Sequence, residues 1–351
     1  MVFPGADGVT SVPESHLPAG FLGGRRDGVK LLVVDRKGGA ISSDIFMNLS
    51  EYINEGDLLV VNNSRIIKAS LSAYFPRLGK YGDFNFGTSR KGGMVLAEPR
   101  PKELNRDLRA NDEVQLIGPD VSAKLIRKHE EFERFWWIDP GVDGNNLMTV
   151  MKSYGKPITY SHVAFPVSED EYLTEFSRVP GSVEPPSAGI PFTEEVLDDV
   201  EGAGAEIAEL TLHCNLGSLE FFEFSKKERL LNEEYSIPGR TLRKMVETRS
   251  NGGRVIAVGT TVVRALESYA LENSIDYREE GSYEGSTDIF IKRGFNFRAV
   301  DGLITGMHDG GSSHIDMISA LVGPEMLQTA YGLAVQWGYL WHEFGDMTMI
   351  L

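Results

Sequence analysis

Apolar and polar positions along this chain follow two different rhythms, and the change between them divides it into parts. Residues 30–35 form an apolar run that predicts a strand, Gly38-Gly39 a turn, and residues 40–45 a partner strand. Residues 46–53 predict a short helix closed by Glu55-Gly56. Within 57–62, Leu58-Leu59-Val60-Val61 is continuously apolar, the pattern of a strand covered on both faces. From about 69 to 139 the pattern shifts to short apolar segments (94–97, 114–117, 123–126, 132–138) separated by Gly, Pro, Asn and Asp clusters, with no helix of convincing length. This predicts an all-β insertion of the small-barrel type. The adjacent Trp136 and Trp137 then point to opposite faces, at least one of them into a core. Beyond 155 strands and helices alternate again: a helix over 193–200 with Thr193 as N-cap, a strand over 205–213, a helix over 240–249 and a strand over 254–258. Strands over 288–291 and 297–303 and helices over 314–321 and 324–340 complete the pattern. The expected fold class is α/β: a large mixed α/β domain with an inserted all-β, barrel-like domain. The expected divisions are a loose arm over 1–20, a discontinuous main domain over 21–68 and 156–351, and the insertion over 69–155.

Residues 254–268 carry the most chemical information. A buried strand breaks at Gly259, two hydroxyl residues follow (Thr260, Thr261), and a helix then presents Arg264 and Glu267 three apart on one face. Backbone N–H groups at such a turn suit ribose, carboxylate or phosphate oxygens, although the same threonines also serve as ordinary helix caps. A second segment, Pro185-Pro186-Ser187-Ala188-Gly189-Ile190-Pro191-Phe192-Thr193, is a rigid turn whose amides and Ser187 hydroxyl can meet a ligand. A third ends a strand with His213 and Asn215 at its mouth, where ligands of α/β sheets bind; a lone histidine there more often serves structure than catalysis.

Composition narrows the chemistry. The one cysteine, Cys214, excludes an internal disulfide and a multi-cysteine metal site, and the seven histidines lack metal-ligand spacing on a helix. His308 and His314, six apart, are weak evidence for a metal. No apolar run spans a bilayer and residues 1–20 lack signal-peptide order, so a cytoplasmic protein without membrane contact is expected. A net charge of −16 disfavours broad adhesion to nucleic acid but accommodates a cationic small molecule. The best local basic cluster is Arg90, Lys91, Arg100, Lys102, Arg106 and Arg109, interleaved with Glu98, Glu103 and Asp107 as on a solvated charged face.

Taken in order, several segments resemble the S-adenosylmethionine:tRNA ribosyltransferase-isomerase family of queuosine biosynthesis. They are Gly56-Asp57-Leu58-Leu59-Val60-Val61-Asn62-Asn63-Ser64-Arg65-Ile66-Ile67, Pro180-Gly181-Ser182-Val183, the Pro-Ser-Ala-Gly turn, Thr211-Leu212-His213 with Leu216-Gly217-Ser218, the long Gly-Thr-Thr segment, and Phe344-Gly345-Asp346-Met347-Thr348-Met349-Ile350. The resemblance implies transfer and isomerisation of the ribosyl part of S-adenosylmethionine onto a 7-aminomethyl-7-deazaguanine base of tRNA. The product is epoxyqueuosine, and adenine and methionine leave. It implies no metal and no cofactor, S-adenosylmethionine being a substrate, and leaves the oligomeric state open. By motif position it implies His213 or His308 as acid or base, with Thr260, Thr261, Arg264 and Glu267 on substrate polar groups. Ser187, Gly189, Phe192 and Thr193 would line the pocket together with Gly217 and Gly259, while Asn62, Asn63, Arg65 and Asp346 would support it.

The motifs also depart from the family pattern. Pro191 stands where a histidine is usual, Asn63 where a carboxylate is usual, and Gly310-Gly311 in a segment that normally holds an arginine. The Leu231-Asn232-Glu233 segment lacks a histidine as well. Three readings follow: the family reaction on tRNA, a divergent paralogue with a different and small acceptor, or a non-catalytic binding module of the same fold.

Overall fold

The computed structural model describes residues 25–159, 167–217, 228–273 and 281–351, so the arm expected over 1–20 lies outside the described residues. The first strands among the described residues are β1 (Lys30–Val34), β2 (Ile41–Ile45) and β3 (Leu58–Asn62). After β4 (Ser64–Ile66) come β5 (Ser70–Phe75), β6 (Lys80–Lys91), β7 (Met94–Arg100), β8 (Glu113–Leu116), β9 (Val121–Lys128) and β10 (Trp136–Asp139). The remaining strands are β11 (Val179–Ser182), β12 (Glu206–Leu212), β13 (Glu233–Pro238), β14 (Val255–Val258), β15 (Ser282–Thr287), β16 (Gly302–Gly306) and β17 (Met347–Ile350).

Nine strands form one sheet in the order β15-β13-β12-β3-β14-β16-β17-β1-β2. At its centre β12, β3, β14 and β16 are mutually parallel, and antiparallel strands flank them. The apolar run of β3 explains this place. Leu58 and Val60 pack into one core layer with Leu210, Val255 and Leu266, whereas Leu59 and Val61 pack into the other with Ile256, Phe192 and Val196. Successive side chains of a strand face opposite ways, so only a strand covered on both sides needs every residue apolar.

β5 to β10 close into a six-stranded antiparallel barrel. Trp136 packs inside it with Phe84, Phe86 and Leu125, while Trp137 lies on its outside against Phe135, Leu216 and Leu231, joining the barrel to the main sheet. Both tryptophans are buried, one per core, as their adjacency demands.

Other expectations need correction. A helix, Gly144–Tyr154, follows the barrel; Asp143 caps it by accepting from Asn146 N at 2.9 Å, and Leu147 and Met151 pack on the barrel core. The segments 288–291 and 297–301 are not strands. The ladder runs instead through β15 and β16, because the buried carboxylate of Glu267 holds the N–H groups of Arg298, Ala299 and Val300 away from it. The short helix after β2 is a 3₁₀ helix over Phe46–Tyr52, and the last helix, Pro324–Gln336, stops before residue 340.

Candidate active site

The site is built at the carboxyl ends of the central parallel strands, where the sheet's loops diverge and leave a crevice. β14 is wholly buried and ends at Gly259, whose φ of +96° an L side chain rarely adopts. That conformation turns the chain into the Thr260–Glu272 helix, while Gly259 N donates to Ile304 O at 2.8 Å and ties the turn to β16. Hydrogen bonding within the helix begins with Val262 N donating to Gly259 O at 3.2 Å. Thr260, Thr261 and Arg264 share the face that meets the crevice. Arg264 is 7% exposed; its guanidinium pairs with Glu233 and donates to Thr287 O at 3.4 Å. The other oxygen of Glu233 accepts from Asn215 N at 2.8 Å, so one carboxylate fixes both the arginine and the loop after β12.

The crevice is a cavity of about 420 Å³. Among the described residues its wall carries four carboxylates, from Glu184, Glu233, Asp309 and Glu343, and one guanidinium, that of Arg264. Three imidazoles, from His308, His314 and His342, line the same wall. His308 Nε2 lies 2.8 Å from Thr305 Oγ1, and its ring stacks on His314 with centroids 4.4 Å apart. His342 Nε2 stands 3.3 Å from Asp309 Oδ2. Burial, then the neighbouring His314 and His342, hold His308 well below the usual imidazole range. Burial and then Arg264 bring His314 down to about 4. Both rings are therefore neutral near pH 7, and their surroundings disfavour the protonated form. The Cys214 thiol also lines the cavity, but burial pushes it far up, so it is no nucleophile. Among the described residues no group of three or more His, Cys, Asp or Glu converges as metal ligands would.

Of the residues singled out from the sequence, Pro185, Pro186, Ser187, Ala188, Asn215, Gly217, Gly259, Thr260, Thr261, Arg264, His308 and His314 line the cavity. The remaining catalytic and binding candidates lie outside its wall. His213 Nδ1 lies 2.7 Å from Ser64 Oγ, with the ring packed so closely on Gly181 that a Cβ there would come within 2.5 Å of it. Asn62 spends its amide on both backbone groups of Leu212, at 2.9 and 3.0 Å, and reaches Thr261 Oγ1 at 3.4 Å from behind. Asn63 bonds Glu209 and Thr211, and Arg65 pairs with Glu169 at 3.2 Å. Gly189 packs on Thr174 and Phe176, and Phe192 is core, stacked edge-on against Phe46 and Phe176. Thr193 caps the Glu194–Gly202 helix and donates to Asp27 at 2.8 Å. Glu267, fully buried, accepts the N–H groups of residues 298–300, and Asp346 accepts Lys30 N and Leu340 N at 2.7 and 2.8 Å. These are framework roles.

Sequence reasoning missed Glu184, Glu233, Asp309, His342 and Glu343 as wall residues, and weighed His314 only as a metal ligand. One signal was present: Asp309 directly follows His308, which was already singled out. Of the positions that depart from the family motifs, Asn63, Pro191, Asn232, Gly310 and Gly311 lie outside the cavity wall.

A mixed sheet with an inserted closed barrel, and a crevice at its strand ends, defines an α/β protein with a pocket of small-molecule size. The chain belongs to the queuosine biosynthesis protein family, whose model matches residues 14–350. A relative from Chlorobium luteolum, an S-adenosylmethionine:tRNA ribosyltransferase-isomerase, is 34% identical over 339 residues, covering 93% of this chain and 94% of the relative. One of the same name from Thermosipho melanesiensis is 33% identical, with 93% of each chain covered. The crystal structure of S-adenosylmethionine tRNA ribosyltransferase from Thermotoga maritima superposes with a TM-score of 0.51 at 28% identity, covering 97% of this chain and 96% of that one.

Proposed function

We propose that this protein transfers and isomerises the ribosyl moiety of S-adenosylmethionine onto the 7-aminomethyl-7-deazaguanine base of tRNA, with release of adenine and methionine. The observation that carries this reading is the charge of the cavity wall, four carboxylates against one guanidinium among the described residues. At an effective dielectric of about 20, a sulfonium about 4 Å from one carboxylate gains about 4 kcal/mol before desolvation is counted, so such a wall selects a cationic nucleoside over a polyanionic one. Family membership supports the same substrate, as does the near-complete length over which the relatives match.

The sulfonium acidifies the C–H of the adjacent sugar carbon. Neutral His308, beside Thr305 and His314, is the base for that proton; since its surroundings disfavour the imidazolium, it holds the proton only transiently before passing it to the departing adenine. The acceptor amine then bonds to the anomeric carbon, and methionine leaves as the sugar rearranges. The residues present require no metal or cofactor for these steps. Because the net charge is −16, no global positive field draws tRNA in, so its binding rests on local contacts, and the reaction belongs in the cytoplasm, where tRNA is found.

The test is adenine and methionine release from S-adenosylmethionine with and without tRNA bearing the aminomethyl base. Release that depends on the tRNA, and that falls roughly 100-fold or more in His308→Ala while S-adenosylmethionine affinity is kept, is the expected result. Release independent of tRNA would point to another acceptor, and no release under either condition would overturn the proposal.

A further inference from the structure

We infer that His342, with Asp309 beside it, is the base that takes a proton from the acceptor's aminomethyl group, so that the nitrogen enters the bond-forming step with an available electron pair. The inference rests on the reading of the cavity as a ribosyl-transfer site and assigns the group that serves the acceptor rather than the nucleoside.

His342 Nε2 stands 3.3 Å from Asp309 Oδ2, and the two side chains line the cavity while remaining 26% and 29% exposed. The pair is pinned rather than loose. His342 N donates to Met307 O at 3.1 Å, Met307 N to Asp346 O at 3.2 Å, and Gly345 N to His342 O at 3.0 Å. These bonds stitch the loop before β17 to the chain leaving β16, just ahead of Asp309. Ser312 Oγ donates to Asp309 O at 2.8 Å and holds that segment from its far side. Backbone strain at the same place is an independent observation: His342 is kept at φ +71° and Phe344 at +63°. A left-handed backbone under a side chain costs free energy, persists only where the surroundings over-determine it, and clusters at functional sites.

The imidazoles of the wall keep different company, which divides their work. His308 stacks on His314, so a proton on either ring is opposed by the other, whereas His342 faces a carboxylate that stabilises the imidazolium as it forms. The two protons of the reaction differ in the same sense. The one from the carbon beside the sulfonium is passed on at once to adenine, but the acceptor's must be held off its nitrogen while the new bond forms. A primary amine reaches the cavity as an ammonium, drawn by Asp309 and by Glu343 next to His342. In the dyad Nε2 keeps its hydrogen toward Asp309, and the neutral ring carries its lone pair on Nδ1. One N–H bond of the ammonium breaks, its electron pair stays on that nitrogen, and the proton goes to Nδ1. The same pair then forms the bond to the anomeric carbon. Imidazolium and carboxylate are left as a neutral pair, and the partly exposed ring gives its proton to water before the next turnover.

Single-turnover reactions of the full chain with S-adenosylmethionine and tRNA bearing the aminomethyl base test this by counting free adenine and ribosyl groups joined to tRNA. Wild type should yield the two in equal amounts. His342→Asn suits the left-handed backbone; its transfer to tRNA should fall about 100-fold, with adenine running ahead of transfer at least about tenfold. In His342→Gly, which leaves a gap where the ring was, added imidazole should restore transfer at least about tenfold. Asp309 is a positioning residue, so Asp309→Asn should show the same lead of adenine over transfer, with no gain from imidazole. Thermal unfolding checks that each variant folds, and if both His342 variants fail, the product ratio in Asp309→Asn decides. Full transfer in His342→Asn overturns the assignment and leaves the ribosyl-transfer reading standing. So does a folded His342→Gly in which both products fall together and imidazole restores neither. No adenine release by the wild-type protein overturns both.

Discussion

Replacing Glu267 separates a framework carboxylate from a ligand-binding one. Its side chain is fully buried; one oxygen accepts Ala299 N at 2.9 Å and Val300 N at 3.1 Å, and the other accepts Arg298 N at 2.9 Å. Glu267→Ala strands these donors. Each fully buried, unsatisfied N–H costs about 1–3 kcal/mol, and two of the three (Ala299 and Val300) are deeply buried, so the variant should lose about 3–5 kcal/mol. That is a large part of the ~5–15 kcal/mol by which a typical domain is stable. Glu267→Gln keeps one carbonyl acceptor and should lose only about 1–2 kcal/mol. A pH dependence accompanies this. Burial raises the Glu267 carboxyl above its usual value of 4.5, against the pull of its three backbone bonds. The native state therefore holds that proton more tightly than the unfolded chain. Wild-type stability relative to Glu267→Gln should fall as pH rises from 4.5 through the raised native value, then level off. Urea unfolding of wild type and both variants across this range is the assay, with S-adenosylmethionine affinity measured alongside. A Glu267→Ala protein as stable as wild type, but with its S-adenosylmethionine affinity lost, would refute the reasoning and return Glu267 to the substrate.

Two further substitutions probe the framework. Thr193→Ala removes the cap that accepts Val196 N and the bond to Asp27; it should cost about 0.5–2 kcal/mol in thermal or urea unfolding and leave ligand affinity unchanged, since Thr193 lies outside the cavity wall. Asp57→Asn breaks the pairing of a buried carboxylate with Arg254, at the foot of β3 and β14, and should cost roughly 3–5 kcal/mol. Arg254 and the backbone donors outweigh burial and hold the Asp57 carboxyl below its usual 3.8, so its contribution is full above that pH and disappears as pH falls through the lower native value. Unfolding curves from pH 7 down to about 3 that lose no more stability in wild type than in Asp57→Asn would contradict this.

What could be read in advance depended on whether a residue's partner is local. The N-cap at Thr193, the break at Gly259 and the double-faced burial of β3 are consequences of neighbours in sequence or of a strand's own period. β13 was not legible, because Glu233-Glu234 opens it and charge there looks like solvent, whereas Glu233 is 7% exposed against Arg264. The 288–301 segment misled in the opposite sense: its apolar residues, Ile291 and Ala299 among them, are buried beneath an irregular chain rather than in a ladder.

The order of residues alone determined the class of fold, the barrel within it, the Gly-Thr-Thr turn and the family to which the chain belongs. These follow from periodicity, from backbone chirality at one glycine and from motifs read in order. Only the tertiary structure decided which polar residues face the cavity and which are spent on the frame. Arg264 and Glu267 are three residues apart on one helix, yet the first meets the cavity and the second ties down backbone at residues 298–300. Likewise His308 gathers His314 and His342, while His213 is sealed against Ser64 and Gly181. A helix or strand presents its side chains by period, but what each of them meets is set by elements brought in from elsewhere in the chain.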